Sequence, residues 1–166
     1  MFKSQVLKSI VFGLLVISSA AAADPTPDGS VTLGGTVTSV VSITAFDTAG
    51  AMDLDLMNGQ QIVKVSDLTM TTNNEQGLKL TATGDDSGRL TKSGGTAIPF
   101  RVVSVDDEAT APASGAFSAA PGVPITVSAS SIAGEVLRDL YIMYTPATLQ
   151  DPGDYAGSIT LLVEDN

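Results

Sequence analysis

The side chains of this 166-residue chain best suited to chemistry are its carboxylates: 18 Asp and Glu stand against 8 Lys and Arg. Asp53-Leu54-Asp55 ahead of Asn58-Gly59 has the start of a calcium loop. An EF-hand loop beginning at Asp53 needs an acid at its twelfth position, which is Lys64, so that motif fails. Asp85-Asp86 and Asp106-Asp107-Glu108 would supply calcium ligands if the fold brought them together. Aspartates in such turns are more ordinarily solvated turn residues, which is the reading adopted here. A carboxylate pair hydrolyses glycosides only when a fold holds the two across a cleft, and no spacing here requires that. The chain has no histidine to serve as base for a Ser or Thr nucleophile and no G-x-S-x-G elbow. No Ser-Lys dyad is indicated. With neither cysteine nor histidine, thiol and imidazole metal sites are excluded, and so is lipid attachment through cysteine. The expectation is a non-enzymatic protein that needs no cofactor.

The net charge of −10 argues against nucleic acid and anionic lipid as partners. Without disulfides, the stability of an exported domain must come from packing or from partner chains. Export is expected from the first residues. Lys3 and Lys8 precede the apolar run Ile10 to Ile17, which is too short to span a bilayer, and Ser18 to Ala23 supply the small residues of a cleavage site. The reading is a signal peptide over 1–23, with the mature chain starting at Asp24 and no membrane insertion afterwards.

The elements around these residues read as strands. Ser30 to Ile43 (SVTLGGTVTSVVSI) places Val31, Leu33, Gly35, Val37, Ser39, Val41 and Ile43 on one face, and Thr32, Gly34, Thr36 and Thr38 on the other. That period of two marks a strand with one face meant for burial, and it breaks near Ser39-Val40. Asp24 to Gly29 before it is a proline- and glycine-bearing leader. Met52, Leu54 and Leu56 alternate with polar residues and predict a strand, followed by an Asn-Gly turn. The apolar parity changes between Val63/Val65 and Leu68/Met70, which predicts a bulge near Ser66-Asp67. Leu78 to Ala82, Ile98 to Val102, Val123 to Val127 and Tyr155 to Val163 alternate as further strands. Pro99 cannot donate to a ladder and predicts an edge position. Asp106 to Pro121 reads as a long loop. Ser128 to Arg138 is ambiguous, with a helical turn as one option around Gly134-Leu137. Asp139 to Tyr144 (DLYIMY) is apolar on both faces, as in a central strand, and Tyr141 and Tyr144 flank or fill the core.

About nine short strands punctuated by Gly, Pro and Asn/Asp turns predict an all-β antiparallel sandwich. Leu80, Phe100, Ile125, Ile142 and Leu161 lie on the apolar parity of their strands and are the expected core. Tyr155 is a candidate tyrosine corner, its hydroxyl bonded back to nearby backbone.

Two segments carry a resemblance. Pro152-Gly153-Asp154-Tyr155-Ala156-Gly157 leading into the last strand resembles the C-terminus of chaperone–usher pilins and of the spore coat protein U group. The opening strand resembles the donor strand of the cysteine-free alternate, colonisation-factor type pilins. Gln76 to Ala82 and Gly95 to Phe100 are a weaker echo of the same family. The resemblance implies an incomplete immunoglobulin-like sandwich over 39–166, completed by an N-terminal extension, 24–38, of a neighbouring subunit. Val31, Leu33, Gly35 and Val37 are then the donor residues. It also implies identical or related subunits, a periplasmic chaperone and an outer-membrane usher as partners, and an extracellular fibre supporting adhesion or biofilm. Two alternatives have the same sandwich: a secreted monomer binding carbohydrate or a surface ligand, and a secreted coat or matrix protein.

Overall fold

A computed structural model of the chain describes residues 30–166. The leader expected over 1–23 and the start of the extension, 24–29, lie outside the described residues. Val37–Asn166 forms one compact unit. Among the described residues no helix is long and apolar enough to cross a membrane.

This unit is an all-β antiparallel sandwich of eight strands. They are β1 (Val41–Asp47), β2 (Gln61–Thr72), β3 (Leu78–Gly84), β4 (Arg89–Leu90), β5 (Ile98–Asp106), β6 (Ile125–Ser128), β7 (Gly134–Tyr144) and β8 (Ile159–Asp165). One sheet has the order β1-β2-β7-β5-β4 and the other β6-β3-β8. Leu68, Met70, Phe100, Leu140, Ile142 and Tyr144 from the larger sheet form one core with Leu78, Leu80 and Ala82 of β3. The alternation in the sequence dictates this: successive side chains of a strand point to opposite faces, so one parity is buried between the layers.

β7 is central, paired with β2 on one side and β5 on the other. That explains the two-faced apolar run over 139–144, and Tyr141 and Tyr144 are both buried. The register of β2 against β7 shifts between Lys64 and Ser66. This bulge is the parity change seen in the sequence. The extra residue lets Val63 and Val65 join the core on one side of it and Leu68 and Met70 on the other.

The break expected near Ser39-Val40 is present, and pairing begins at Val41. Several expectations are corrected. Met52 to Leu56 is not a strand. Ala49–Met52 forms a single helical turn, and Asp55 then accepts from the Met57 and Asn58 backbone N–H groups, closing an Asx-type turn that competes with extended structure. The option of a helical turn at Gly134-Leu137 is overturned as well: these residues begin β7, because pairing with β2 over Thr69–Thr72 outweighs a weak local signal. Val123 precedes its strand, which starts at Ile125. Pro99 lies at the start of β5 opposite Arg89, so its outer neighbour is the two-residue β4 rather than open solvent.

Leu80, Phe100 and Ile142 are buried as expected, at 0%, 2% and 3% exposure. Ile125 and Leu161 are only half-buried. Both sit on the two outer strands of the three-stranded sheet, where one flank has no neighbouring strand to seal the inward side chain.

Candidate functional site

The inward face of β8 is only partly covered. Ile159, Leu161 and Val163 pack against the core, yet all three remain half-buried. β8 pairs with β3 along its whole length and has no strand on its other side among the described residues. Across that open side lies β1, the edge strand of the larger sheet, whose Val41 and Ile43 are also half-buried. Between the two edges is a cavity of about 320 Å³. Ala45 of β1 and Ile159 and Leu161 of β8 form its rims, and Phe100, Leu140 and Ile142 form its floor. The lining is mostly apolar. The β8 edge presents backbone N–H and C=O groups with no ladder partner, which suits it to receive another strand.

Hydroxyl–carboxylate contacts fix both ends of β8. At its start, Ser158 Oγ and Thr160 Oγ1 donate to Asp85, at 2.6 and 2.8 Å. At its end, Ser39 Oγ and Thr72 Oγ1 donate to Asp165, the latter at 2.8 Å. The second set links β8 to β2 and to the segment before β1, so the two sheet edges are tied at the Asp165 end. The cavity lies toward the other end, at Ala45, Asp47, Ile159 and Leu161. These bonds hold both carboxyls below the usual aspartate range: Ser158 and then Thr160 for Asp85, Ser39 and then Thr72 for Asp165.

The donor residues expected from the sequence are placed as follows. Residues 30–40 adopt neither strand nor helix. Val31, Leu33 and Val37 are 86%, 89% and 87% exposed. A Cβ added to Gly35 would meet no atom within 4 Å. Three large apolar side chains of one parity are therefore left in solvent, which is unusual for a segment of such regular pattern.

Tyr155 is half-buried, and its hydroxyl donates to the Asp151 carbonyl at 3.1 Å and accepts from Gln150 Nε2 at 2.7 Å. Gln150 Nε2 also reaches the Thr96 carbonyl at 2.6 Å, so the loop before β8 is bonded to the segment before β5. Gly157, two residues on, leaves room for the Leu90 side chain and the Phe100 ring: a Cβ there would lie 2.9 Å from one and 3.4 Å from the other.

Asp86, Asp106, Asp107 and Glu108 are exposed, as expected of solvated turn acids. Asp85 is occupied by Ser158 and Thr160, and Asp107 comes close to Asp67 and Asp139. Sequence reading passed over Asp67 and Asp139. The signals were present: a bulge that moves Lys64 and Asp67 to one face, and a lone acid opening the apolar run of β7.

No protein-family model matches the chain, and no curated protein matches it.

Proposed function

We propose that this chain is the structural subunit of an extracellular fibre assembled by strand exchange. In this reading the domain is an immunoglobulin-like sandwich lacking its last strand. The extension of one copy, through Val31, Leu33, Gly35 and Val37, lies along β8 in the groove of the next copy. One observation carries the reading: β8 leaves its inward face half-buried beside an apolar cavity, while a strand-patterned segment stands in solvent. An added strand would supply ladder bonds to the free edge and insert alternate side chains into the groove. Each of Val31, Leu33 and Val37 would contribute about 1.5–3 kcal/mol on full burial. Gly35 suits a shallow point where backbones come close. A groove of this kind needs a partner before assembly, which is the role of a periplasmic chaperone and an outer-membrane usher. The sequence-level leader accounts for export, and the acidic surface keeps unassembled copies apart.

The test is a circularly rearranged chain. Residues 24–38 are deleted, and residues 30–43 are fused after Asn166 through a short flexible linker. The expected product is a soluble monomer that resists denaturation and does not polymerise, while the unaltered mature chain gives a ladder of oligomers that collapses on boiling. If the fusion stays unfolded and the unaltered chain is a stable monomer at all concentrations, the strand-exchange reading fails and a monomeric secreted binding domain takes its place.

A further inference from the structure

The face of the larger sheet that points away from the core holds an unusual charge arrangement. Asp67 of β2 and Asp139 of β7 are directly opposite in the ladder. Like charges at that position repel. Asp139 is also the most buried charged group described, at 1% exposure. Asp107, from the loop after β5, brings a third carboxylate, and one oxygen from each of the three lies within 4.8 Å of the others.

One cation is already present. The bulge between Lys64 and Ser66 puts Lys64 on the same face as Asp67, three residues away, where a regular strand would place them on opposite faces. Lys64 Nζ lies 2.5 Å from Asp67 and 2.7 Å from Asp139 Oδ1. A single ammonium leaves three carboxylates under-neutralised. The ammonium reaches only Oδ1 of Asp139; Oδ2 of this buried carboxylate has no hydrogen-bond partner among the described residues. A buried carboxylate oxygen in that state is costly unless something else reaches it.

We propose that Asp67, Asp107 and Asp139 form a calcium site, with Asp139 as its buried anchor and the Lys64 ammonium in the cation's place when calcium is absent. The donor set is all oxygen, which selects hard cations. Oxygens on one ion are separated by at most twice the metal–oxygen distance, which is about 4.8 Å for calcium and about 4.1 Å for magnesium. The trio lies within a span that one calcium can bridge, and magnesium is usually held by only one or two protein carboxylates with several waters, so three carboxylates suit calcium. Backbone carbonyls and water complete the coordination. Lys64 is long and 31% exposed, so it swings into solvent when the ion enters. The consequence is local: calcium fastens the loop following β5, through Asp107, to the centre of the sheet. The site is independent of the β1–β8 groove.

The test is calcium binding by the purified chain, read by thermal melting and by terbium luminescence. The chain has no tryptophan, and Tyr141 lies two residues from Asp139 on the same face, so it is the sensitiser. The expected result is saturable terbium emission at one ion per chain, displaced by calcium. Calcium at about a hundredfold excess over Kd should raise Tm by roughly 5–10 °C relative to chelator. Asp107→Asn should lose both responses while melting like wild type in chelator. Lys64→Met, which removes the competing ammonium, should bind calcium several-fold more tightly. Tyr141→Phe should lose the emission and keep the calcium-induced Tm shift. Equal melting in calcium and chelator without terbium uptake overturns the site. So does wild-type calcium binding by Asp107→Asn, or weaker binding by Lys64→Met. An equal Tm shift with magnesium overturns the assignment to calcium.

Discussion

Leu161 stands opposite Ala82 in the β3–β8 ladder, yet the small Ala82 is sealed at 0% exposure and the larger Leu161 is not. The two side chains point to the same face of the same sheet. The difference is their neighbours: β3 is flanked by β6 and β8, and β8 by β3 alone. Having a neighbouring strand on one side only is enough to produce it.

This relationship sets up the sharpest contrast between substitutions. On the donor side, Leu33→Arg or Val37→Arg should abolish polymerisation, because an arginine must either bury its charge in an apolar groove or leave the groove open. Thr36→Arg, of the opposite parity, should change assembly little. On the acceptor side, Leu161→Arg should block assembly, whereas Leu162→Arg, on the outward parity at 52% exposure, should not. Sedimentation of refolded protein across a concentration series measures all five. Loss of folding alone does not separate a fibre subunit from a monomer, so each donor variant is also mixed with excess synthetic 30–43 peptide. A donor variant that folds and accepts the peptide, yet does not polymerise by itself, has lost only its donor function. Equal assembly of Leu33→Arg and Thr36→Arg would remove the parity basis of the proposal.

The core gives a second expectation. Phe100 is 2% exposed, and its ring packs where Gly84 and Gly157 leave space. Phe100→Ala should cost about 3–5 kcal/mol by cavity formation. Gly84→Ala works in the opposite sense, by overfilling: its Cβ would lie 2.8 Å from the Phe100 ring and 2.8 Å from Gly88 Cα. A loss of about 1–3 kcal/mol is expected. Urea unfolding midpoints at constant m-value check both, and a Gly84→Ala protein as stable as wild type would show that the ring has room to move.

What was legible in the sequence follows from how locally each signal is written. Period-two alternation marks which side chains of β3 and β5 go inward, and Leu80 and Phe100 do so. A parity change marks a bulge, and Val65 lies in one. Burial at an edge is another matter, because it depends on which strands are neighbours. Leu161 and Ile125 carry the same alternation as Leu80 and still remain half-open, since sheet order is set by pairing between distant segments. The Asp67–Asp107–Asp139 group was hidden for the same reason. Its members are separated by 40 and 32 residues in the numbering and meet only once β2, β5 and β7 are side by side. Met52 to Leu56 failed differently: alternation was present, but Asp55 and Asn58 offered the backbone a local hydrogen-bonded turn instead.

The last expectation concerns acid. Asp165 closes the end of β8 by accepting hydroxyl hydrogen bonds from Ser39 and Thr72, and these hold its folded-state pKa below that of an ordinary aspartate. In the unfolded chain the same carboxyl titrates near about 3.9. As pH falls, the unfolded state therefore takes up this proton first, and protonation favours unfolding. The stabilising contribution is complete above about pH 5 and is lost as pH drops through the lower, folded value. Asp85 at the other end of β8, accepting from Ser158 and Thr160, follows the same sign. Acid should thus release β8 at both ends. Asp165→Asn removes the titrating group while keeping an oxygen that accepts a hydroxyl. It should be less stable than wild type at pH 7, with the gap shrinking between pH 5 and pH 2 as the wild-type carboxyl becomes neutral. Denaturant midpoints of the two proteins across that range measure the gap. Other carboxylates titrate in both proteins and cancel in the difference. A gap that stays constant from pH 7 to pH 2 would mean that the Asp165 charge does not hold β8.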